Sequence, residues 1–256
     1  AVQYWEQRAH ALLPTTDAVL QQVPDPLLRR LLRGQPDDQP LQLGSCTHVA
    51  LWEELTTAAS CVDRALLFDL LHGFSIVGPI QRSGRWGLLQ APDELLPMGE
   101  LRSRAWEFSQ KVIKNVMRCE ITEHTAKVWD ATMEDVKEGS TLGPFFSEQD
   151  VSKFLGTKEW IPTQRFEVVQ KNKVRGVDSA TVNGVNVATT ITEKLELPST
   201  DVNVAALRWL RSHLPERAEV LGWVLDERKA YRQIAVKPDQ RRWSVITMRE
   251  PKERSE

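Results

Sequence analysis

The chain has 256 residues, 41% of them hydrophobic and 27% charged, a composition that supports a folded globular protein and excludes both wholesale disorder and a polytopic membrane protein. Its formal net charge of -2 gives no global attraction to nucleic acid, so any such binding has to come from local patches. No apolar run approaches the ~18–20 residues of a membrane span, and the opening AVQYWEQRAHALLP lacks the basic-then-apolar order of a secretion signal.

The first ~70 residues read as amphipathic helical stretches with breaks, from apolar residues recurring at three- and four-residue intervals. Leu27, Leu28, Leu31 and Leu32 form one such face, and Asp25-Pro26 is its start signal. Gly34 to Gly44, GQPDDQPLQLG, is a linker-like break, and Thr47 to Leu71 reads as one helix or two. HGFSIVGPIQRSGRWG then carries four glycines and a proline, which a helix interior does not tolerate, so a shaped loop with short extended pieces at Ile76, Val77 and Ile80 is expected. A second helical block is predicted from about Pro97 to Met133, with an apolar face of Leu101, Ala105, Trp106, Phe108, Val112, Ile113 and Val116. Its basic residues Arg102, Arg104, Lys111, Lys114 and Arg118 read either as a solvated face or as a grip on a nucleic-acid backbone.

From Gly139 the texture is mixed. A Gly-Pro turn precedes an apolar alternation in RFEVVQ, a turn at Lys171-Asn172 and a second short strand in KVRGVD, which together read as a hairpin carrying basic residues. Leu195 to Leu214 is expected to be helical, Gly222 to Val236 to contain a strand, Pro238 to Arg242 to turn, and Trp243 to Met248 to form a final strand. Cys46, Cys61 and Cys119 are odd in number and far apart, so neither a disulfide framework nor a zinc site follows, and a reducing, intracellular compartment is the default, with cytoplasm and nucleus both open. The five histidines have no partners at ligand spacing and read as structural or surface groups.

The most informative stretch is GWVLDERKAYRQIAVKPDQRRWSVITM, Gly222 to Met248. An apolar run delivers Asp226, Tyr231 follows five residues later, and then come Gln233, Ile234 and a proline-initiated turn at Pro238. This resembles the first catalytic motif of the reverse transcriptases of retroelements. RFEVVQKNKVRGVDSATVNGVN resembles the fingers segment that precedes that motif in the family, and VWDATMEDVKEGSTLGPFF, matching at Gly139 and Gly143-Pro144-Phe145, resembles the stretch leading into it. HGFSIVGPIQRSGRW also looks like a segment of such proteins, so the resemblance covers about half of the chain.

The resemblance implies an RNA-directed DNA polymerase that transfers nucleotides with two Mg²⁺ ions, in which rigidly held carboxylates supply the hard oxygen ligands. Asp226 would be the catalytic metal ligand, with the backbone carbonyl of Glu227 beside it. Tyr231 would form the platform under the sugar, with Gln233 following. Arg175 would bind the incoming nucleotide's phosphates through bidentate hydrogen bonds, and Lys171 or Lys173 would add a second charge. Asp178 and Asn186 match residues that pin the fingers structurally, with Gly184 as the turn between them. The implied partners are an RNA or DNA template-primer and a deoxynucleotide triphosphate, with no membrane involved.

The chain departs from the family in three places. Asp178-Ser179 stands where relatives have two aspartates, Glu227-Arg228-Lys229 is charged where an apolar residue usually follows the catalytic aspartate, and no aromatic-x-Asp-Asp motif occurs anywhere. A single carboxylate cannot position two metals, so the chain is expected to be a fragment that is inactive by itself; the start on Ala and the charged tail REPKERSE agree with a fragment. The expected fold is α+β: a mainly helical region 1–125 of unassigned role, then a partial reverse-transcriptase-like domain over 126–256 with a fingers hairpin and an incomplete antiparallel palm sheet. The competing reading is a non-enzymatic nucleic-acid- or protein-binding module derived from a retroelement, in which helices 47–71 and 97–133 and some of the nine tryptophans form the binding surface.

Overall fold

A computed structural model describes residues 2–89, 96–171, 173–220 and 234–251. The class is mixed α+β, with helices and small sheets. The N-terminal part opens with α1 (Val2–Gln21), followed by α2 (Pro26–Arg33), α3 (Val49–Ala58) and α4 (Leu66–His72). The segment read as one helix or two is two. The α2 boundaries follow from local chemistry. Asp25 caps its N-terminus by accepting from the Leu28 amide at 2.7 Å, and Pro26 occupies the first turn, where its missing N–H costs nothing. Gly34 ends α2 with φ of 65°, and a Cβ there would sit 1.7 Å from the Ser45 carbonyl oxygen, so only glycine fits.

These helices close over one core of Leu20, Val23, Leu28, Leu32 and Val49. Polar groups inside it are paired: Arg33 is buried against Asp17 and the Gln39 carbonyl, and His48 bridges Thr16 Oγ1 at 2.9 Å and the Ala9 carbonyl at 2.7 Å. Arg8 clamps Glu54 across α1 and α3.

The glycine-rich stretch is a shaped loop, as its composition predicts. It contributes β1 (Gly78–Pro79), which pairs in parallel with β5 (Thr189–Thr190), and β2 (Gly87–Leu88), which pairs antiparallel with β6 (Glu193–Lys194). The Glu193 carboxylate accepts from the amides of Ser83 and Gly84 at 2.7 and 2.8 Å and from the Ser83 hydroxyl at 3.0 Å, which locks the loop onto β6.

The second helical block consists of three helices: α5 (Met98–Ser103), α6 (Ala105–Arg118) and α7 (Thr125–Lys137). An eight-residue helix that the sequence reading passed over, α8 (Glu148–Leu155), starts at Ser147, whose Oγ accepts from the Asp150 amide, and ends at Gly156 with φ of 67°. The hairpin is β3 (Pro162–Gln170) and β4 (Lys173–Ser179), antiparallel. After α9 (Thr200–His213) and a 3-10 helix at Pro238–Trp243, β7 (Val245–Thr247) joins the other edge of β3. That third strand runs parallel to β3, a departure from the antiparallel sheet expected; the long connection through α9 is what permits a parallel return. The second core combines Val77, Leu96, Leu101 and Ala105 with Ile161, Val185, Ala188 and Trp243, so both sides of position 125 contribute to it. Among the described residues no helix is long and apolar enough to cross a membrane.

Candidate nucleic-acid interface

The β3–β4 register sorts the hairpin into two faces. Arg165, Glu167, Gly176 and Asp178 share one face, and Gln164, Phe166, Val168, Lys173, Arg175 and Val177 share the other. The first face packs on α7. Arg165 donates to Asp178 from Nε at 2.7 Å and Nη2 at 2.8 Å, and to Thr132 Oγ1 at 3.0 Å, while the buried Asp135 carboxylate lies 4.0 Å away. The Asp178 carboxylate holds the Arg165 guanidinium pKa above its ordinary value against the opposing effect of burial. Thr122 and Thr125 hydroxyls donate to Glu167 at 2.6 and 3.4 Å. A Cβ at Gly176 would lie 2.9 Å from Val128 Cγ1, so glycine is what lets α7 approach this closely.

Among the described residues the second face is covered at its base. There Ser109 of α6 donates to the Trp160 carbonyl, and Gln164 Nε2 contacts Cys119 Sγ at 3.2 Å. Further out, Phe166 and Val177 sit directly opposite one another, 40% and 39% exposed, and Arg175 and Lys173 are exposed. Lys171 stands at the hairpin tip with φ of 52°. The structure therefore brings Lys171, Lys173 and Arg175 together on one open hairpin.

Asp178 has the pinning role expected of it, through Arg165. Asn186 does not: it is exposed at the start of the 3-10 turn Asn186–Ala188. The buried asparagine is Asn183, which donates to Thr163 Oγ1 at 2.9 Å and the Pro162 carbonyl at 3.3 Å and accepts from the Val185 amide at 3.0 Å. Gly184 forms the turn with φ of 78°, tight against the Phe108 ring.

Asp226, Glu227, Tyr231 and Gln233 lie outside the described residues. The chain that follows them is held by groups the sequence reading did not single out. Phe74 donates to the Ala235 carbonyl at 2.8 Å and accepts from the Lys237 amide at 3.1 Å, forming a parallel bridge to Val236. Gln240 Oε1 accepts from the amides of Ile76 and Val77 at 2.6 and 3.1 Å, and its Nε2 donates to the Val77 carbonyl at 3.2 Å. Arg241 forms a two-pronged ion pair with Asp25 at 2.7 and 3.0 Å. Nearby, a groove of about 660 Å³ is lined by Leu31, Trp129, Met133 and Phe145 together with Arg165 and Arg241. Among the described residues no group of three or more His, Cys, Asp or Glu side chains could hold a metal ion, and the ligands assigned to Mg²⁺ by the resemblance are Asp226 and Glu227. No protein-family model matches the chain, and no curated protein or solved structure matches it significantly.

Proposed function

We propose that the chain is the fingers and the beginning of the palm of a reverse-transcriptase-like polymerase, an RNA-directed DNA polymerase of retroelement type. The observation that carries this reading is the hairpin: an antiparallel pair anchored at one face by the Arg165–Asp178 pair and presenting Lys173 and Arg175 on the other, upstream of the Asp226-to-Gln233 segment. Arg175 would take two phosphate oxygens of an incoming deoxynucleotide, a task that suits a planar guanidinium on a rigid strand better than a lysine. Lys173 or Lys171 would add a further positive charge, and Tyr231, followed by Gln233, would form the floor of the sugar pocket. Mg²⁺, bound by Asp226 and the Glu227 carbonyl, would neutralise the charge that develops on the transferring phosphoryl group.

Because the aromatic-x-Asp-Asp motif is absent from the sequence, the reading predicts nucleotide binding without turnover by this chain. The test is titration with dTTP and Mg²⁺, followed by calorimetry. Saturable, Mg²⁺-dependent binding is expected, weakened roughly tenfold or more by Arg175→Ala, which removes charge-assisted hydrogen bonds worth about 1.5–3 kcal/mol. Asp226→Asn is expected to abolish the Mg²⁺ dependence. Binding unaffected by both substitutions would sink the polymerase reading and favour a non-enzymatic binding module.

A further inference from the structure

α6 buries Ala105, Ser109, Val112 and Val116, a 4-3-4 spacing that defines one side of the helix. Lys111, Lys114 and Arg118 are spaced by three and four residues on the opposite side, and all three are exposed. At 1.5 Å per residue the stripe is ~10 Å long. None of the three forms an ion pair among the described residues, and the acid on the same side, Glu107, is held by Arg104 at 3.0 and 3.1 Å. The exposed residues of α7 are mixed by contrast, with Lys127, Asp130, Glu134 and Lys137.

The placement of α6 gives the stripe its meaning. α7 covers the Arg165 face of the hairpin, whereas Cys119, the residue that caps the C-terminus of α6, meets Gln164, which belongs to the Arg175 face. The outward side of α6 therefore looks the same way as the open hairpin face. Five cations, Lys111, Lys114, Arg118, Lys173 and Arg175, thus lie on one side, with Lys171 at the hairpin tip, in a chain whose net charge is -2. Between the two basic groups, Phe166 and Val177 offer an apolar platform. At the C-terminal end of α6, where free carbonyls would repel an anion, Arg249 donates to the carbonyls of Met117 and Cys119.

We propose that this side of the molecule is a contact surface for single-stranded nucleic acid, with Lys111, Lys114 and Arg118 on the phosphate backbone and Phe166 stacking on a base. Cations along a track with an aromatic platform are what an unpaired strand needs, because its bases expose their flat faces and its phosphates repeat every few ångströms. A protein partner would have to supply three carboxylates at this spacing. The proposal goes beyond the polymerase reading, because the binding itself does not require Asp226.

The test uses the whole chain and a fluorescein-labelled dT12 oligonucleotide, with anisotropy measured from 50 to 200 mM salt. The Lys111→Gln/Lys114→Gln/Arg118→Gln variant is expected to lower the slope of log K against log salt by about 2, from three phosphate contacts at roughly 0.7 each on a single strand. Phe166→Ala should weaken binding at least fivefold with the slope unchanged. Lys114→Gln alone, with a slope change of about 0.7, serves as the check should the triple variant melt at a lower temperature. A triple variant with the wild-type slope and affinity overturns the proposal, as does equal competition by a blunt duplex of the same length. If Arg175→Ala leaves dTTP binding intact while the α6 variants still lose dT12, the polymerase reading fails and this surface stands.

Discussion

Truncating Asp178 to alanine tests how the hairpin is held. Two charge-assisted hydrogen bonds to Arg165 disappear, leaving the guanidinium with Thr132 Oγ1 at 3.0 Å and the Asp135 carboxylate at 4.0 Å. Removing one partner of a fully buried pair costs about 3–5 kcal/mol. Arg165 meets that condition, with 7% of its side chain exposed, but the Asp178 side chain is 39% exposed. Water therefore reaches the vacated position, and the cost falls to about 2–3 kcal/mol. With a urea m value of about 3 kcal/mol/M, the unfolding midpoint drops by about 0.8 M. Asp178→Asn, which keeps an oxygen acceptor, loses less. Urea titration followed by tryptophan fluorescence reads all three proteins. A midpoint shift below about 0.2 M for Asp178→Ala would refute the argument that a buried ion pair anchors the hairpin.

Two further predictions concern the segment after Gln233. Gln240→Ala strands the amides of Ile76 and Val77 and is expected to cost about 2 kcal/mol, a fall of roughly 4–8 °C in Tm for a chain of this size; a fall under about 1 °C would mean that water replaces the carboxamide. At Asp25 burial pushes the carboxyl pKa up, but the hydrogen bonds from Arg241 and the Leu28 amide outweigh it, so the net value lies below the ordinary carboxylate range. A depressed folded pKa means that the contribution is fully present above about pH 4 and is lost as pH falls through the lowered value. The stability gap between wild type and Asp25→Asn, measured by thermal melting, should accordingly be flat from pH 7 to about pH 4.5 and shrink towards pH 2; a gap independent of pH over that range contradicts the assignment.

What was legible in the sequence was whatever local chemistry determines. Asp25-Pro26 with Gly34 brackets α2, and the alternation in RFEVVQ and KVRGVD around a turn marks β3 and β4. α8 carried a readable signature as well, with Ser147 at the cap, Glu148 and Asp150 in the first turn and Gly156 at the end, but the neighbouring Gly-Pro turn masked so short a helix. The choice between Asn183 and Asn186 was not legible, because both stand in one turn and only the packing of Pro162 and Thr163 beneath it decides which is buried. Nor was the role of Gln240, whose partners lie more than 160 residues away. The basic residues of α6 were open to two readings in sequence, and their relation to the hairpin depends on which face of β3 the helix covers.

The helical region of unassigned role is tied to the segment after Gln233 at four points. Gly73 has φ of 88°, and a Cβ there would come within 2.6–2.8 Å of the backbone of Val236 and Lys237, so a larger residue would force the two segments apart. Beside it, Phe74 bridges Val236, Asp69 lies 3.7 Å from Lys237 Nζ, and Asp25 holds Arg241 while also capping α2. Ala235 packs against the helical core and Trp243 belongs to the second one, so the chain on both sides of the 3-10 helix is fixed by residues from the first half of the sequence. A catalytic aspartate must be held to within a fraction of an ångström to serve as a metal ligand. On the polymerase reading, the N-terminal helices would serve that end by fixing the chain from Ala235 to Trp243, which follows Asp226 in sequence. Such bracing would give a region without recognisable motifs of its own a reason to share both of its cores with the residues that follow the motif.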